Sequence, residues 1–437
     1  MSSNARRPLT RRTVLGTGTA LGASAALAAC GGDSSSGSSG PVTLRFAWWG
    51  ADARHQYTQQ IIEDFNSSQS DIVVKGEFSE WSGYWDKIAT QTAANDAPDV
   101  FQMDAIYLRS YGDRGALLDL SGLDGLDTSG VQETALDTGR TPDGLLGLVT
   151  GIVPLAMVTN PGVVTQAGLA LPDDTTWTWD DYEELSAAIT AAGLPDVYGC
   201  ATGGIDEAGL QLWCKQNGAA LYSDDGEVVL PTDQLVDWWN YNLGLVSSGA
   251  ATPVTVAMER ATAALDQNGL ALNLNAFGAM WSTQVTALTA ASGQPLQLLR
   301  PPTQTSGGAP GLYYKPSMFW SASSRTKNPE AAATFLSYLT TDPGVADTML
   351  TERGIPANTS LREQITPKLS DTDKIAVAYT DSLADVVADT PPSAPAGASG
   401  IEEIVRRYGS DVLFAKQTPE AAAKALVGEL TQSVESA

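Results

Sequence analysis

Aromatic residues that carry a polar atom recur along this chain close to carboxylate and amide residues. The sequence has 11 Trp and 13 Tyr but only 8 Phe. An aromatic plane stacks on the C–H face of a saturated ring, while carboxylates and amides hydrogen-bond to hydroxyl groups. The pattern therefore predicts a binding site for a ring rimmed by hydroxyls, that is, a sugar. The candidates at predicted strand ends or beside glycine are Trp49, Trp281 and Trp320 for stacking, and Glu80, Asp104 and Asn275 for hydrogen bonds.

Each of these tryptophans has a second interpretation as packing, since large aromatic side chains are usually well buried. Trp238 and Trp239 lie inside a helical apolar pattern, which favours packing for that pair. Enzymatic motifs are weak or absent. His55 is the only histidine, so neither a two-histidine metal site nor a well-supported serine or cysteine triad is visible. The sequence predicts no metal, no cofactor and no catalytic residue.

The first 29 residues have the pattern of a bacterial export signal. Four arginines precede a weakly apolar run over 14–29, which is shorter than the roughly 20 apolar residues that span a bilayer. The run ends Leu27-Ala28-Ala29-Cys30, which resembles a lipoprotein box whose cysteine receives diacylglycerol. Arg11-Arg12 is similar to a twin-arginine signal, with the general secretory route as the alternative. We therefore predict a signal peptide over 1–29, a lipid anchor at Cys30 and a Gly/Ser tether over 30–41.

Two further cysteines, Cys200 and Cys214, remain after the signal. Their spacing is not that of a zinc site, and the sequence has no second pair. An oxidising compartment outside the cytoplasm permits them to pair. The prediction is a disulfide, with two buried free thiols as the alternative.

The chain is strongly acidic, with 25 basic and 50 acidic residues. Loss of residues 1–29 removes four basic residues and no acidic ones, which leaves a net charge of −29. Such a surface repels phosphate backbones and anionic headgroups, so we expect no nucleic-acid partner and a neutral or cationic ligand. The length of 437 residues suggests two or three globular domains.

Strands and helices are predicted to alternate from the start of the mature chain. Residues 42–48 alternate as a strand, 52–66 carry a helical apolar period, and 71–78 form a second strand. A helix over 84–94 and a short strand over 99–103 follow. The order β-α-β-α-β implies a largely parallel α/β sheet whose ligands bind at the carboxyl ends of the strands.

The rest of the chain continues the α/β pattern, without an internal repeat. The predicted elements are a strand over 152–159, a helix from Trp179, helices over 207–216, 233–247 and 258–266, a strand over 270–275, and a late helix from Asn328 with proline at its first position.

Ordered sequence landmarks lie along the mature chain. They are Trp48-Trp49-Gly50, Ala97-Pro98-Asp99-Val100, Gly115-Ala116-Leu117-Leu118, Ala167-Gly168-Leu169, Trp177-Thr178-Trp179, Asn328-Pro329-Glu330-Ala331-Ala332 and Gly354-Ile355-Pro356-Ala357. Each block alone is weak, whereas their shared order together with the lipobox is specific, and it resembles the extracellular solute-binding proteins, family 1, of carbohydrate ABC importers. Thr159-Asn160 departs from the family, whose members commonly have Tyr-Asn there.

The resemblance implies a two-lobe α/β fold of the periplasmic-binding-protein type II, with a sugar held in the cleft between the lobes. It implies a monomer that closes around its ligand about hinge segments and docks on permease subunits at the membrane. Trp320 and Arg353 are further candidate contacts. The expected boundaries are 42–149 with 317–366 for lobe 1 and 150–316 with 367–437 for lobe 2, joined by crossovers near 146–150, 312–317 and 362–368.

Two alternatives stay open at this point. The acidic surface also suits a receptor for another solute, such as a polyamine or a peptide. A secreted carbohydrate-active enzyme would use a catalytic pair of carboxylates, although 50 acidic residues make some such pair inevitable.

Overall fold

The computed structural model describes residues 40–437 apart from Thr262 and Ala388. Its strands form one large sheet and alternate with helices along the chain. The predicted signal peptide, Cys30 and nearly all of the tether lie outside the described residues. The strands are β1 (Val42–Trp49), β2 (Ile72–Ser79), β3 (Val100–Met103), β4 (Arg140–Thr141), β5 (Gly144–Leu145), β6 (Leu148–Thr159), β7 (Tyr198–Cys200), β8 (Asn275–Trp281), β9 (Gln297–Leu299) and β10 (Tyr314–Ala322).

Helices cover both faces of the sheet and extend beyond its second half. They are α1 (Asp52–Ser68), α2 (Trp81–Ala93), α3 (Ala105–Gly112), α4 (Glu133–Leu136), α5 (Pro161–Gln166), α6 (Trp179–Ala191), α7 (Glu207–Gln216), α8 (Thr232–Ser247), α9 (Val254–Arg260), α10 (Val285–Ser292), α11 (Pro329–Thr341), α12 (Pro343–Met349), α13 (Thr359–Ile365), α14 (Asp371–Ser382), α15 (Ile401–Leu413) and α16 (Pro419–Glu435).

The sheet has the strand order β2-β1-β3-β10-β6-β8-β7, with β9 paired to β6. The central strand β1 runs parallel to both β2 and β3, as the β-α-β-α-β pattern predicts. Its two parallel neighbours therefore end at the same edge as β1 does. The predicted α/β fold is confirmed. The sheet is mixed rather than largely parallel, because β10 runs antiparallel to β3 and β6, and β6 runs antiparallel to β8 and β9.

The long strand β6 joins two halves of this sheet. Between Leu148 and Pro154 it pairs antiparallel with β10, and between Leu155 and Thr159 it pairs with β8. The strands β1, β2, β3 and β10 form the first half, and β7, β8 and β9 form the second. One continuous strand thus passes from the first half into the second at Pro154–Leu155.

Polar caps fix where several helices begin. Thr178 and Asp181 form a reciprocal capping box at the start of α6. Asp104 accepts a hydrogen bond from the Ile106 amide at the start of α3, and Asp206 accepts one from the Gly209 amide at the start of α7. Each cap satisfies an amide that the first helical turn leaves unpaired, which contributes about 1 kcal/mol to stability.

The largest buried side chains lie where helices cover the first half of the sheet. Phe46, Trp48 and Trp320 project from strands and pack with Phe335 of α11. The ring of Phe46 lies 5.5 Å from that of Trp320 and 5.2 Å from that of Phe335. In the second half, Trp238 and Trp239 are buried in a separate cluster, as their helical pattern predicts. Burying one such side chain stabilises the fold by roughly 1.5–3 kcal/mol.

Two predicted elements between 258 and 275 are misplaced. The helix spans Val254–Arg260 rather than 258–266, and the strand over 270–275 is a turn that ends where β8 begins. The Asn268 side chain accepts a hydrogen bond from the Leu270 amide, and Asn273 adopts a φ of 58°. Leu270 is buried and Leu272 is exposed because the turn places them on opposite sides. The apolar alternation here reflects a turn, not a strand.

The predicted disulfide is wrong, because Cys200 and Cys214 are free thiols. Cys200 ends β7 and packs in a cluster with Trp177 and Tyr182, while Cys214 lies on α7 in a different apolar cluster. Burial raises the pKa of each thiol to about 12. Both side chains are therefore buried, neutral packing residues.

The described residues, 40–437 apart from Thr262 and Ala388, contain neither a membrane-spanning helix nor a cluster of metal-binding side chains. No helix in this described part is long and apolar enough to cross a membrane. Within the same range, no group of three His, Cys, Asp or Glu side chains is positioned to hold a metal ion.

Candidate functional site

The parallel strands bring three of the predicted site residues to one edge of the first half. Trp49 is the last residue of β1, Glu80 follows β2, and Asp104 follows β3. Trp49 pairs with Ser79 across the β1–β2 ladder, one residue before Glu80. This edge is where ligands bind in parallel α/β sheets, so the strands position these groups as the sequence predicts.

An aromatic cluster covers this edge. Trp49 is only 6% exposed, and its ring lies 5.1 Å from Trp81 and 5.6 Å from Trp85. Trp85 in turn lies 4.1 Å from Tyr107. Trp81 is 41% exposed and stands at the first position of α2. Trp49 is therefore a buried member of the cluster that packs against Trp81. The exposed aromatic surface, which the sequence predicts for Trp49, belongs to Trp81.

A cavity of about 760 Å³ opens in the second half. Its wall contains Asn275 and Trp281 from the two ends of β8 and the carboxylates Asp206, Glu207 and Glu402 from the starts of α7 and α15. Small-molecule sites in proteins typically measure about 300–1,000 Å³ and combine apolar walls with a few polar groups. The cavity is therefore large enough for a ligand of several sugar rings.

Asn275 is held in place by hydrogen bonds to the surrounding backbone and side chains. Its amide nitrogen donates to Thr252 Oγ1 at 2.9 Å and to the Tyr198 carbonyl at 3.4 Å. A Cβ atom on Gly269 would lie 1.8 Å from Asn275 Oδ1, so glycine is required beside the amide. Asn275 is consequently a rigid part of the cavity wall.

Charges from both halves act on one another beside the cavity. Burial raises the pKa of Asp104, and the Glu402 charge raises it further, whereas Lys315 lowers it. The Lys315 ammonium lies 5.1 Å from the centre of the Trp281 ring, in cation–π contact. Lys315 thus links Asp104, at the edge of the first half, to Trp281 in the cavity wall.

Glu207 has the most perturbed carboxyl group of the cavity wall. Burial is the main cause that raises its pKa to about 7, and the nearby Glu402 and Asp206 charges add to it against an opposing effect of Lys315. Burial also raises the pKa of Asp206. Near neutral pH Glu207 is therefore partly protonated, and it can donate as well as accept a hydrogen bond.

Trp320 and Arg353, the two further candidates, lie in the core. Both are 1% exposed. The Arg353 guanidinium lies 4.8 Å from the Trp320 ring and 5.1 Å from the Tyr57 ring, and Nη2 donates to Thr58 Oγ1 at 2.9 Å. Burial lowers the pKa of Arg353 to about 9. Neither side chain offers a face to a ligand, so both hold the fold together.

Sequence reasoning missed four charged residues of the site. The predicted helix over 207–216 begins at Glu207, and no motif in the sequence marks Asp206, Lys315 or Glu402 as site residues. The one available signal is the acidic pair Asp206-Glu207 at a helix start, one residue after Gly203-Gly204. Nothing in the sequence joins it to Glu402, which is 195 residues further along the chain.

The fold and its sequence match known proteins. A profile of the family described as bacterial extracellular solute-binding protein matches residues 60–377. An extracellular solute-binding protein family 1 member from Alicyclobacillus acidocaldarius subsp. acidocaldarius DSM 446 is 26% identical with a TM-score of 0.78, over 91% of this chain and 100% of that chain.

Two more distant structures share the fold. A periplasmic oligogalacturonide binding protein from Yersinia enterocolitica is 19% identical with a TM-score of 0.80, over 90% of this chain and 99% of that chain. An ABC substrate-binding protein from Listeria monocytogenes, solved in complex with cycloalternan, is 18% identical with a TM-score of 0.68 and the same coverage. The family profile extends over more than half of this sequence, so the chain belongs to the bacterial extracellular solute-binding protein family.

Proposed function

We propose that this protein captures a sugar or oligosaccharide outside the cytoplasm and delivers it to the permease subunits of an ABC importer. The observation that carries the proposal is a cavity of about 760 Å³ in the second half, and an aromatic cluster at the carboxyl ends of the parallel strands in the first half supports it. Structural relatives bind oligogalacturonide and cycloalternan. Stacking planes beside carboxylates and amides suit the two kinds of surface that a sugar presents.

The proposed contacts come from both halves. Trp81, Glu80 and Asp104 face the ligand from lobe 1 (42–149 and 317–366), and Trp281 faces it from lobe 2 (150–316 and 367–437). Asn275, which is 2% exposed, supports the cavity wall behind it. The lobes close about the strands that cross between them, which absorb the backbone change while each lobe stays rigid. Trp49 acts indirectly, since its ring supports Trp81.

We further propose that the protein is a monomeric lipoprotein held at the outer face of the cell membrane. Lipidation of Cys30 after removal of residues 1–29 supplies the anchor, and the Gly/Ser tether over 30–41 lets the binding domain reach a permease. We propose export by the twin-arginine route in the folded state, which the Arg11-Arg12 pattern supports.

A cationic solute such as a polyamine is the second candidate. The carboxylates Asp206, Glu207 and Glu402 in the cavity wall favour it, although Arg260 and Arg406 in the same wall and Lys315 nearby offset part of their charge. An ammonium group placed among them would relieve their mutual repulsion. A peptide receptor and a carbohydrate-active enzyme have no comparable observation in their favour.

A thermal-shift screen decides between these ligands. The panel contains glucose, maltose, maltotriose, cellobiose, digalacturonic acid and spermidine. A ligand at 100 times its Kd stabilises the folded state by about 2.7 kcal/mol, which raises the melting temperature measurably. Stabilisation by spermidine alone would reject the sugar assignment. Chromatography of the recovered sugar separates a binder, which returns it intact, from a hydrolase.

Two matched variants then locate the site by calorimetry. Trp81→Ala removes an exposed ring from the aromatic cluster and should weaken binding by about 1–3 kcal/mol. Phe414→Ala removes a similarly exposed ring at the far end of α15 and should leave affinity unchanged. Equal affinity of the two variants would place the ligand away from the aromatic cluster.

A further inference from the structure

Helix α3 from lobe 1 meets two loops of lobe 2 at a junction formed around Arg109. The two loops are the acidic turn, Ser223-Asp224-Asp225-Gly226-Glu227, and the strap, residues 390–400. Arg109 is 6% exposed, and its Nη1 donates to the Asp224 carbonyl at 2.8 Å. This buried, charge-assisted hydrogen bond joins segments 115 residues apart in the chain.

The acidic turn is shaped to receive the guanidinium. Gly226 adopts a φ of 87°, and a Cβ atom there would lie 2.8 Å from Arg109 Nη2 and 3.2 Å from Pro395 Cβ. Only glycine therefore lets the turn, the arginine and the strap meet. On its own helix Arg109 also pairs with Asp113, whose Oδ2 lies 3.6 Å from Arg109 Nε.

The strap contacts the same helix at a second point. Residues 390–394 line a cavity of about 140 Å³ together with Ala105, Ile106 and Leu108 of α3. The Thr390 hydroxyl donates to the Thr134 carbonyl of lobe 1 at 2.9 Å. Arg109 thus stands among contacts that join the lobes, and its helix begins directly after the proposed ligand residue Asp104.

We infer that Arg109 is a latch between the lobes and the positioning residue for Asp104. When the hydrogen bond to the acidic turn forms, α3 is held against lobe 2 and Asp104 is held beside Lys315 and the cavity. When it breaks, the lobes separate and the ligand leaves. This inference rests on the proposed two-lobe function and names the contact that regulates closure.

The distance between the lobes tests the latch without any ligand. Spin labels are attached through Gln56→Cys on α1 and Lys424→Cys on α16, both exposed, in a Cys30→Ser background. The buried native thiols, with a pKa of about 12, do not compete for the label. Arg109→Ala should broaden the distance distribution and shift it to longer values, and Arg109→Lys should partly restore the wild-type distribution.

Calorimetry and stopped-flow measurements use the panel sugar that binds the wild-type protein most tightly. Loss of a hydrogen bond to a charged group predicts about a tenfold or larger rise in Kd for Arg109→Ala, mostly through faster dissociation. Gly226→Ala disrupts the same contact from its lobe 2 side, so it should also raise Kd and the dissociation rate. Gly218→Ala is its control, because that glycine also has a positive φ, 70°, with no atom within 4 Å of the added Cβ.

The outcomes separate the latch from the proposed function. Unchanged distances and dissociation rates in Arg109→Ala overturn the latch, even if the variant unfolds at a lower temperature. Equal effects of Gly226→Ala and Gly218→Ala also overturn it, because they would reflect backbone strain alone. If no panel sugar binds the wild-type protein but Arg109→Ala alters the distances between the spin labels, the latch is supported and the sugar assignment is rejected.

Discussion

Replacement of Glu207 by glutamine should stabilise the protein at alkaline pH and leave its stability unchanged in acid. Burial raises the pKa of Glu207 to about 7, from an ordinary value of 4.5. In the unfolded chain the group loses its proton at the lower pH. The folded state therefore binds one more proton than the unfolded state between these values, and the free energy of unfolding falls as pH rises through that window.

The size of the effect follows from the pKa difference. A difference of about 2.5 corresponds to roughly 3 kcal/mol, and solvent access from the open cavity reduces this to about 2 kcal/mol. Wild-type stability should decline by that amount between about pH 4.5 and pH 7 because of this one group. Glu207→Gln keeps the volume of the side chain and removes the charge, so its advantage should appear over the same interval and stay constant above it.

Urea unfolding at intervals from pH 4 to pH 9 measures the effect. The midpoint of Glu207→Gln should exceed that of the wild type by an increasing amount up to about pH 7, with an unchanged slope m. Glu259→Gln, at an exposed position on α9, is the control and should match the wild type throughout. A stability gain that is the same at pH 4 and pH 8, or no gain at pH 8, would refute the assigned burial of the Glu207 charge.

Further outcomes follow from single contacts. Cys200 and Cys214 should resist alkylation in the folded protein and both react after unfolding without reductant, as mass spectrometry would show; a pair that needs reductant contradicts the free thiols. Gly151→Ala should lower stability by more than about 2 kcal/mol in urea unfolding, because its Cβ would lie 2.5 Å from the Arg353 carbonyl. Cys30→Ser should release the protein from membranes in cell fractionation, and retention would exclude the lipid anchor.

The first half of the sheet is predictable because its elements are regular and adjacent in the chain. Strands with clear alternation and a helix with a clear apolar period follow one another through residues 42–103, so local pattern and tertiary fold agree. The same regularity fixes the edge at which Trp49, Glu80 and Asp104 meet. The pairing register of β1 with β2 and β3 follows from local sequence, because these three strands are close neighbours in the chain.

Side-chain exposure at that edge is not predictable in the same way. Trp48 and Trp49 point to opposite faces of β1, and both faces are covered by helices. The exposed ring is therefore on the following helix, at Trp81, and its exposure depends on how α2 packs. The charges of the cavity wall depend on still longer-range packing, since 184 residues, 217–400, separate α7 from α15 in the chain.

Because Cys200 and Cys214 are not joined by a disulfide, the redox state of the compartment does not limit where the chain can fold. Neither half of the sheet depends on a covalent crosslink, since Cys200 and Cys214 each pack as small apolar groups in separate clusters. Folding of residues 40–437 therefore needs no oxidant and no disulfide isomerase, and it can reach completion in a reducing compartment. Because Cys200 and Cys214 form no disulfide, the stability of this part of the chain is independent of the redox potential of its surroundings.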